Sequence, residues 1–255
     1  MSSFHDGEPT DPADEATWSD ITQQIVAAAL PDRSVRAYPA LLSTEAEAMA
    51  WARDGAEHGA VVVADYQASP RGRGGLPWSC EPGRGLGFSV VLRPPLEPER
   101  DGWLYTVSTC ALTEVVDDGP GQVALRWPDE VLAGTERAAA VGVHAEHGDS
   151  GLEFAVVTVL IEAARPPRTP LLVRTLTALD QRLAQRPEQL VEEHTARCAT
   201  LGRQVTAHLV PLGPAGTRIE GEAVGTRTDG SLAIQTGPGR RIAIPPRDLG
   251  RLEER

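Results

Sequence analysis

"VVVADYQASPRGRGGLPWS", residues 61–79, joins a β-branched apolar run to a loop that sets three glycines and two arginines within residues 71–75 and then closes on a tryptophan. The valines predict a buried strand, and the Gly/Pro cluster behind them predicts where it ends. The loop also has a chemical sense. Successive amides in a glycine-rich turn can converge on an anion, while Arg71 and Arg73 supply planar, forked donors suited to phosphate or carboxylate. It matches neither the phosphate-binding loop ending in Gly-Lys-Ser/Thr nor the dinucleotide fingerprint. A solvated turn in an arginine-favouring chain accounts for the same residues.

Working outward, residues 1–15 read as an acidic tail with too little apolar matter to fold, and residues 16–34 as a short helix and linker with Trp18, Ile21, Ile25 and Val26 on one face. "LLSTEAEAMAWARDGAEHG" predicts a helix capped by Thr44, with Glu47 as reciprocal partner. "LGFSVVLRPP" predicts a second strand, "WLYTVSTCALTEVVDDG" a helix and "QVALRWP" a further strand. The two apolar segments of "RAAAVGVHAEHGDSGLEFAVVTVLIEAA" meet at a tight turn over 147–151, which favours antiparallel pairing. Leu172, Leu176, Leu179 and Leu183 recur at helix spacing, and "EQLVEEHTARCATLG" gives another helix. From Gly202 onward, short strand candidates separated by glycine, proline and the Asp229-Gly230 turn predict a small barrel-like domain. The fold expected is α/β (α+β): a mixed sheet with packed helices over 35–200 and a small β domain over 201–255. The terminal "GRLEER" reads as a charged end with no special role.

Composition narrows the function. The formal charge of −12, from 24 basic and 36 acidic residues, repels a nucleic-acid backbone, so no nucleic-acid partner is expected. No apolar run is long enough to span a membrane, and the acidic N-terminus lacks a basic leader; a cytoplasmic protein is expected. Cys80, Cys110 and Cys198 are too far apart for a zinc ligand set or a dense disulfide framework and read as incidental or packing residues. His144 and Glu146 alternate with apolar positions along a strand and read as structural or exposed, with pocket-lining as the alternative; His147 reads likewise. The sequence contains no lysine, so every fixed cation is an arginine.

The order of pieces resembles biotin protein ligases of the class without a DNA-binding domain: a Ser-Thr at a helix start, a valine strand, the Gly/Arg loop and tryptophan, a basic residue before Trp-Pro, and a glycine-punctuated C-terminal domain. "VVVADYQASPRGRGGLPWS", "RWPDEVL" and "ARCATLGRQV" look like the corresponding segments of actinobacterial members. The family loop reads Gly-Arg-Gly-Arg-x-Gly-Arg; here Pro70 and Leu76 replace its first glycine and last arginine, while Arg71, Gly72, Arg73 and Gly75 are kept. Ser43 and Thr44 match its Ser-Thr-Asn motif, with Glu45 in the asparagine position, and Gln67 matches the glutamine before the loop. Its Lys-Trp-Pro-Asn-Asp is Arg126-Trp127-Pro128-Asp129-Glu130. In its Lys-x-x-Gly-Ile-Leu-x-Glu stretch, Gly142 and Glu146 are kept, Ala139 takes the lysine position, and Arg137 lies two residues away, on the same face of a regular strand. Its Gly-x-Gly-x-Asn signature is replaced by "AVVTVLIE".

The resemblance implies a ligase fold with an SH3-like C-terminal barrel, and activation of biotin or a related small carboxylate with ATP and Mg2+ before transfer to a lysine of a carboxyl carrier protein. It assigns catalytic roles to Arg73 and Arg126. Substrate contacts would come from Ser43, Thr44, Gln67, Arg71, Gly72, Arg73, Gly75, Trp78, Arg126 and Gly142. Nucleotide contacts would come from Arg71, Arg73, Trp78 and Asp129, with Glu130 reaching Mg2+ through water. The departures fall on polar contact positions while the apolar framework stays readable, so a ligase homologue that binds a ligand or partner without reacting is the alternative.

Overall fold

The computed structural model describes residues 19–78, 85–97, 100–116, 123–149, 151–162, 167–213 and 216–255. The expected acidic tail, Trp18 and Cys80 lie outside them. The valine run forms β2 (Val61–Gln67), parallel to β1 (Val35–Leu41) and antiparallel to β3 (Leu86–Leu92). A parallel pair needs a crossover, and α2 (Thr44–Arg53) supplies it. Next in the sheet come β7 (Gly151–Ile161), β6 (Glu136–Gly148), β5 (Glu130–Ala133) and β4 (Val123–Arg126), making a seven-stranded mixed sheet ordered β1-β2-β3-β7-β6-β5-β4. As expected, β6 and β7 pair antiparallel.

Both faces of this sheet are covered, which is why its central strands read as unbroken apolar runs. Val61 and Val63 face a core shared with α1 (Gln23–Ala29), α3 (Trp103–Val116) and α4 (Thr169–Leu183). Val62 points the other way, onto Ala48 and Ala52 of α2 with Val91, Phe154 and Val156. Cys110 is buried in α3.

Two local expectations are corrected. Ile21, just before α1, and Val26 within it are buried but Ile25 is 45% exposed, because the short helix presents only a narrow stripe to the core. In α2 the cap position is Ser43 rather than Thr44, and Glu47 does not reach back to it; the Arg36 guanidinium and the Tyr38 hydroxyl on β1 donate to its carboxylate, each at 2.8 Å. At the start of α4, the Thr169 amide donates to Asp20 (2.6 Å), and the buried Arg168 is ion-paired with Asp20 and Asp65. The N-terminal segment is thereby tied to the sheet.

The second sheet is antiparallel and five-stranded, of the SH3-like kind, ordered β11-β10-β9-β8-β12. Its strands are β8 (Gln204–Leu209), β9 (Arg218–Thr226), β10 (Leu232–Gly237), β11 (Arg240–Ile244) and β12 (Leu249–Glu254). The charged terminus is therefore not an idle end. It forms β12, pairs with β8, and its Glu254 accepts a hydrogen bond from Thr200 (2.7 Å). Trp127 crosses from the first unit to join the second core and donates its indole N–H to the Gly230 carbonyl (2.9 Å). Cys198 is buried in the same core. No helix among the described residues is long and apolar enough to cross a membrane.

Between the sheets lies α5 (Pro187–Arg197), whose buried His194 sits 3.3 Å from the Thr226 hydroxyl. Burial pushes the imidazole down to about 4. The unfolded chain takes up this proton near its ordinary value of about 6.5, so stability is complete above that pH and drains as pH falls towards the folded value. Between about pH 7 and pH 5 the wild type should lose about 2 kcal/mol that a His194→Gln variant retains. Urea titrations of both proteins at the two pH values test this; parallel losses would remove His194 as the cause.

Candidate functional site

The loop after β2 folds onto itself. The Gly72 amide donates to the Leu76 carbonyl (2.8 Å), Gly75 to Gly72 (3.0 Å) and Trp78 to Pro70 (3.0 Å). Gly74 and Gly75 take φ of +62° and +74°, a region glycine enters without strain. The loop lies flat on β6: a Cβ on Gly142 would sit 3.0 Å from the Gly72 carbonyl carbon and 3.3 Å from the Arg73 nitrogen. Gly142 thus makes room for the loop's own backbone. Gly72 in turn lies under the Trp78 indole, where an added Cβ would come within 2.6 Å of Cζ2.

Arg71 and Arg73 leave the loop on opposite sides. Arg71 lines a mainly apolar cavity of about 540 Å³ with Leu42, Ser43, Glu45, Met49, Gly75 and His144. Arg73 lines a cavity of about 710 Å³ with Trp78, Arg126, Asp129, Glu130, Arg137 and β12. A third, of about 340 Å³, touches both through Arg73, Gly74, His144 and Leu249.

On the Arg71 side, the Ser43 hydroxyl is buried without a hydrogen-bond partner. Burial pushes the Glu45 carboxyl up, and Arg71 pulls it back. Beneath them, the Thr44 amide donates to Gln67 Oε1 (2.8 Å), the Ser89 hydroxyl donates to Thr44 Oγ1 (2.9 Å), and Ser89 and Thr158 share a further bond (2.8 Å). Thr44 and Gln67 are therefore buried and hold one another. Thr158 belongs to "AVVTVLIE", whose valines fill the sheet interior.

On the Arg73 side, the guanidinium is 11% exposed and bridges the two units: Nη1 donates to the Leu249 carbonyl (2.5 Å) and Nε lies 3.2 Å from Asp129 Oδ1. Burial pushes the Asp129 carboxyl up, Arg73 opposes this, and the neighbouring Glu130 charge adds to the rise. Tyr105 packs nearby with its hydroxyl against the Val143 main chain, and burial pushes that hydroxyl up. Arg126 Nε donates to Glu130 Oε2 (2.6 Å), Arg137 Nη1 reaches Glu130 Oε1 (3.4 Å), and Arg137 also pairs with Glu162.

The expected residues are thus sorted by the fold. Arg73, Trp78, Arg126, Asp129 and Glu130 share one cavity; Ser43, Arg71 and Gly75 share the other; Thr44 and Gln67 lie below; Gly72 and Gly142 are contact points of loop and strand. Among the described residues no three His, Cys, Asp or Glu come together as a metal site, and Glu130 is held between two guanidiniums. Asp129 and Glu130 both line the Arg73 cavity, a carboxylate pair that suits a Mg2+ held chiefly by water and nucleotide oxygens rather than by the protein alone. Glu146 pairs with Arg53, while His144 and His147 line the third cavity. Sequence reasoning missed the β12 wall, whose only signal is two leucines, Leu249 and Leu252, out of period two in a charged segment, and the partner of Arg137, Glu162.

No protein-family model matches the chain. It is 27% identical over 230 residues to the biotin--[acetyl-CoA-carboxylase] ligase of Mycobacterium tuberculosis, a match spanning 81% of this chain and 85% of that protein. The fold superposes on the biotin protein ligase of Aquifex aeolicus in complex with biotin and ATP, with a TM-score of 0.66 and 22% identity, over 87% of this chain and 99% of that one. It also superposes on a biotin protein ligase-like protein of unknown function from Silicibacter sp., with a TM-score of 0.62 and 14% identity, over 82% and 94% of the two chains.

Proposed function

We propose, from its likeness in sequence and fold to biotin protein ligases, that this chain is a ligase of that family which activates biotin, or another small carboxylic acid, with ATP and passes the acyl group to a lysine of a carrier protein. The observation that carries this reading is the placement of the loop: Arg71 serves an apolar cavity and Arg73 an arginine-lined one, with Gly74 between them. An acid in the first and a nucleotide in the second would meet beside Arg73. The relative from Aquifex was solved with both biotin and ATP, which supports a site for two ligands.

In this arrangement a carboxylate oxygen attacks the α-phosphorus of ATP, the bond to pyrophosphate breaks, and an acyl adenylate forms. Arg73 and Arg126 are the groups placed to stabilise charge developing on phosphate oxygens. Arg126, 42% exposed, keeps donors beyond those that hold Glu130. Trp78 covers the loop and excludes water from the reacting atoms. An acceptor amine then attacks the acyl carbonyl, AMP leaves and the nitrogen loses a proton. Since the chain has no lysine, the acceptor is another protein. Mg2+ would arrive with the nucleotide, for want of a protein cage. Such chemistry belongs in the cytoplasm, where ATP and carrier proteins are found.

One observation favours a second reading, a homologue that binds without reacting: Arg73, Arg126 and Arg137 each already have a carboxylate partner. Incubation with α-labelled ATP, Mg2+ and a panel of biotin, octanoate and lipoate separates the two. Acid-dependent release of labelled AMP is the expected result. Saturable acid binding with no AMP from folded protein would instead establish the binding module.

A further inference from the structure

We propose that Arg137 is an oxyanion-binding residue of the larger cavity, delivered to it by a one-residue bulge in β6; the inference rests on the acid-activation reading above. In a regular strand, residues two apart share a face. Ala139 is fully buried with Val131 and Val141 in the core beneath α3 and α4, so an unbroken β6 would carry Arg137 into that core. The pairing with β5 shows why it does not. Val131 stands opposite Ala139, but Leu132 stands opposite Arg137, leaving Ala138 as the extra residue. A bulge of this kind reverses the facing of the residues before it. Arg137 therefore emerges on the side of Glu130, whose partner is Ala140, the same side on which the Gly/Arg loop lies against Gly142.

The new orientation is held from both ends. The Glu162 amide donates to the carbonyl of the bulged Ala138 (2.9 Å), and the Glu162 carboxylate accepts from Arg137 Nε. Glu130 accepts from Nη1 on one side and from Arg126 on the other, so two guanidiniums flank a single carboxylate at the cavity wall. These bonds engage Nε and Nη1 of Arg137, and Nη2 remains for a ligand. With its side chain 31% exposed, Arg137 is accessible from the cavity. A phosphate or carboxylate oxygen reaching Glu130 would be met by both arginines, each with fixed, forked donors.

Calorimetric titration of the full-length protein with ATP, and separately with biotin, provides the test. Arg137→Ala should weaken one of the two by about 10- to 100-fold, the range for losing a charge-assisted hydrogen bond. Loss in the ATP arm identifies the oxyanion as a nucleotide phosphate, and loss in the biotin arm as the acid carboxylate. Arg137→Lys, which keeps the charge but not the fork, should recover part of it. A double variant, Arg137→Met with Glu162→Met, removes the ion pair as a unit. If Arg137 acts on ligand, the double variant stays as weak as Arg137→Ala even when its thermal midpoint returns to the wild-type value. Unchanged affinity for both ligands in Arg137→Ala, or restored affinity in the double variant, would overturn the proposal and leave acid activation standing. A wild-type protein that binds neither ATP nor biotin would overturn both.

Discussion

Replacing Arg73 by alanine should lower acid-dependent AMP formation at least about 100-fold, the scale of losing one preorganised donor at developing charge, and destabilise the fold at the same time. The second effect follows from the company Arg73 keeps. Its guanidinium pairs with Asp129 and donates to the Leu249 carbonyl, so one side chain serves a turn of the first unit and the start of β12. Removing one partner of a buried pair typically costs about 3–5 kcal/mol. Asp129 keeps some solvent exposure, so about 2–3 kcal/mol is the expected penalty here. Asp129 also fixes the pH dependence. Burial already pushes its carboxyl up and Arg73 restrains it, so without Arg73 it rises further. A carboxyl raised in the folded state favours folding as pH falls, because protonation removes the stranded charge. The deficit of Arg73→Ala should therefore shrink on acidification. Adding Asp129→Asn should recover much of the stability at neutral pH while leaving AMP formation low. Urea midpoints across pH for the single and double variants are decisive: an Arg73→Ala protein as stable as wild type at pH 7 would mean that Arg73 does not hold Asp129 and β12 together.

The fold was legible wherever apolar period and punctuation agreed. The valine run, the long hairpin of β6 and β7, and the leucines of α4 all declare their partners by burial alone. The strands that escaped notice lack that signal. β1 contains Pro39, which an edge strand tolerates because a missing amide there need not bond. β5 has only four residues, and β12, Leu-Gly-Arg-Leu-Glu-Glu, sets its leucines three apart across a register shift, so that it resembles a solvated tail. The site was legible in part. The order of motifs pointed to Arg73, Arg126 and Asp129, and the fold does bring them to one cavity. Arg137 shows the limit: strand parity assigns it to the face of Ala139, and only the bulge at Ala138, invisible to any period-two reading, reverses that. Sequence spacing also has no means of showing that Gly142 would accommodate loop backbone.

The seam between the two sheets should be highly sensitive to one added carbon. Gly230 has φ of +84°, its amide closes the Arg227–Gly230 turn, and its carbonyl receives the Trp127 indole N–H. A Cβ there would lie 2.8 Å from the Trp103 nitrogen and closer still to the Gly102 carbonyl. Gly102 faces the same constraint from the other side, with an added Cβ 2.7 Å from the Asp229 carbonyl oxygen. Backbone meets backbone, so no flexible side chain can move aside. Gly230→Ala should destabilise by about 3–5 kcal/mol, the range reached when strain and steric displacement combine. Gly239→Ala separates those causes. Its φ of +70° imposes the same kind of backbone strain, yet nothing lies within 4 Å of its added Cβ; about 1–2 kcal/mol is expected there. Equal losses in the two variants would show that backbone conformation alone sets the effect and that the seam tolerates displacement. If the seam is as rigid as its geometry implies, Gly230→Ala should also weaken ATP binding. Withdrawing the turn removes the partner of Trp127 and shifts the wall that includes Leu249, the residue whose carbonyl holds Arg73.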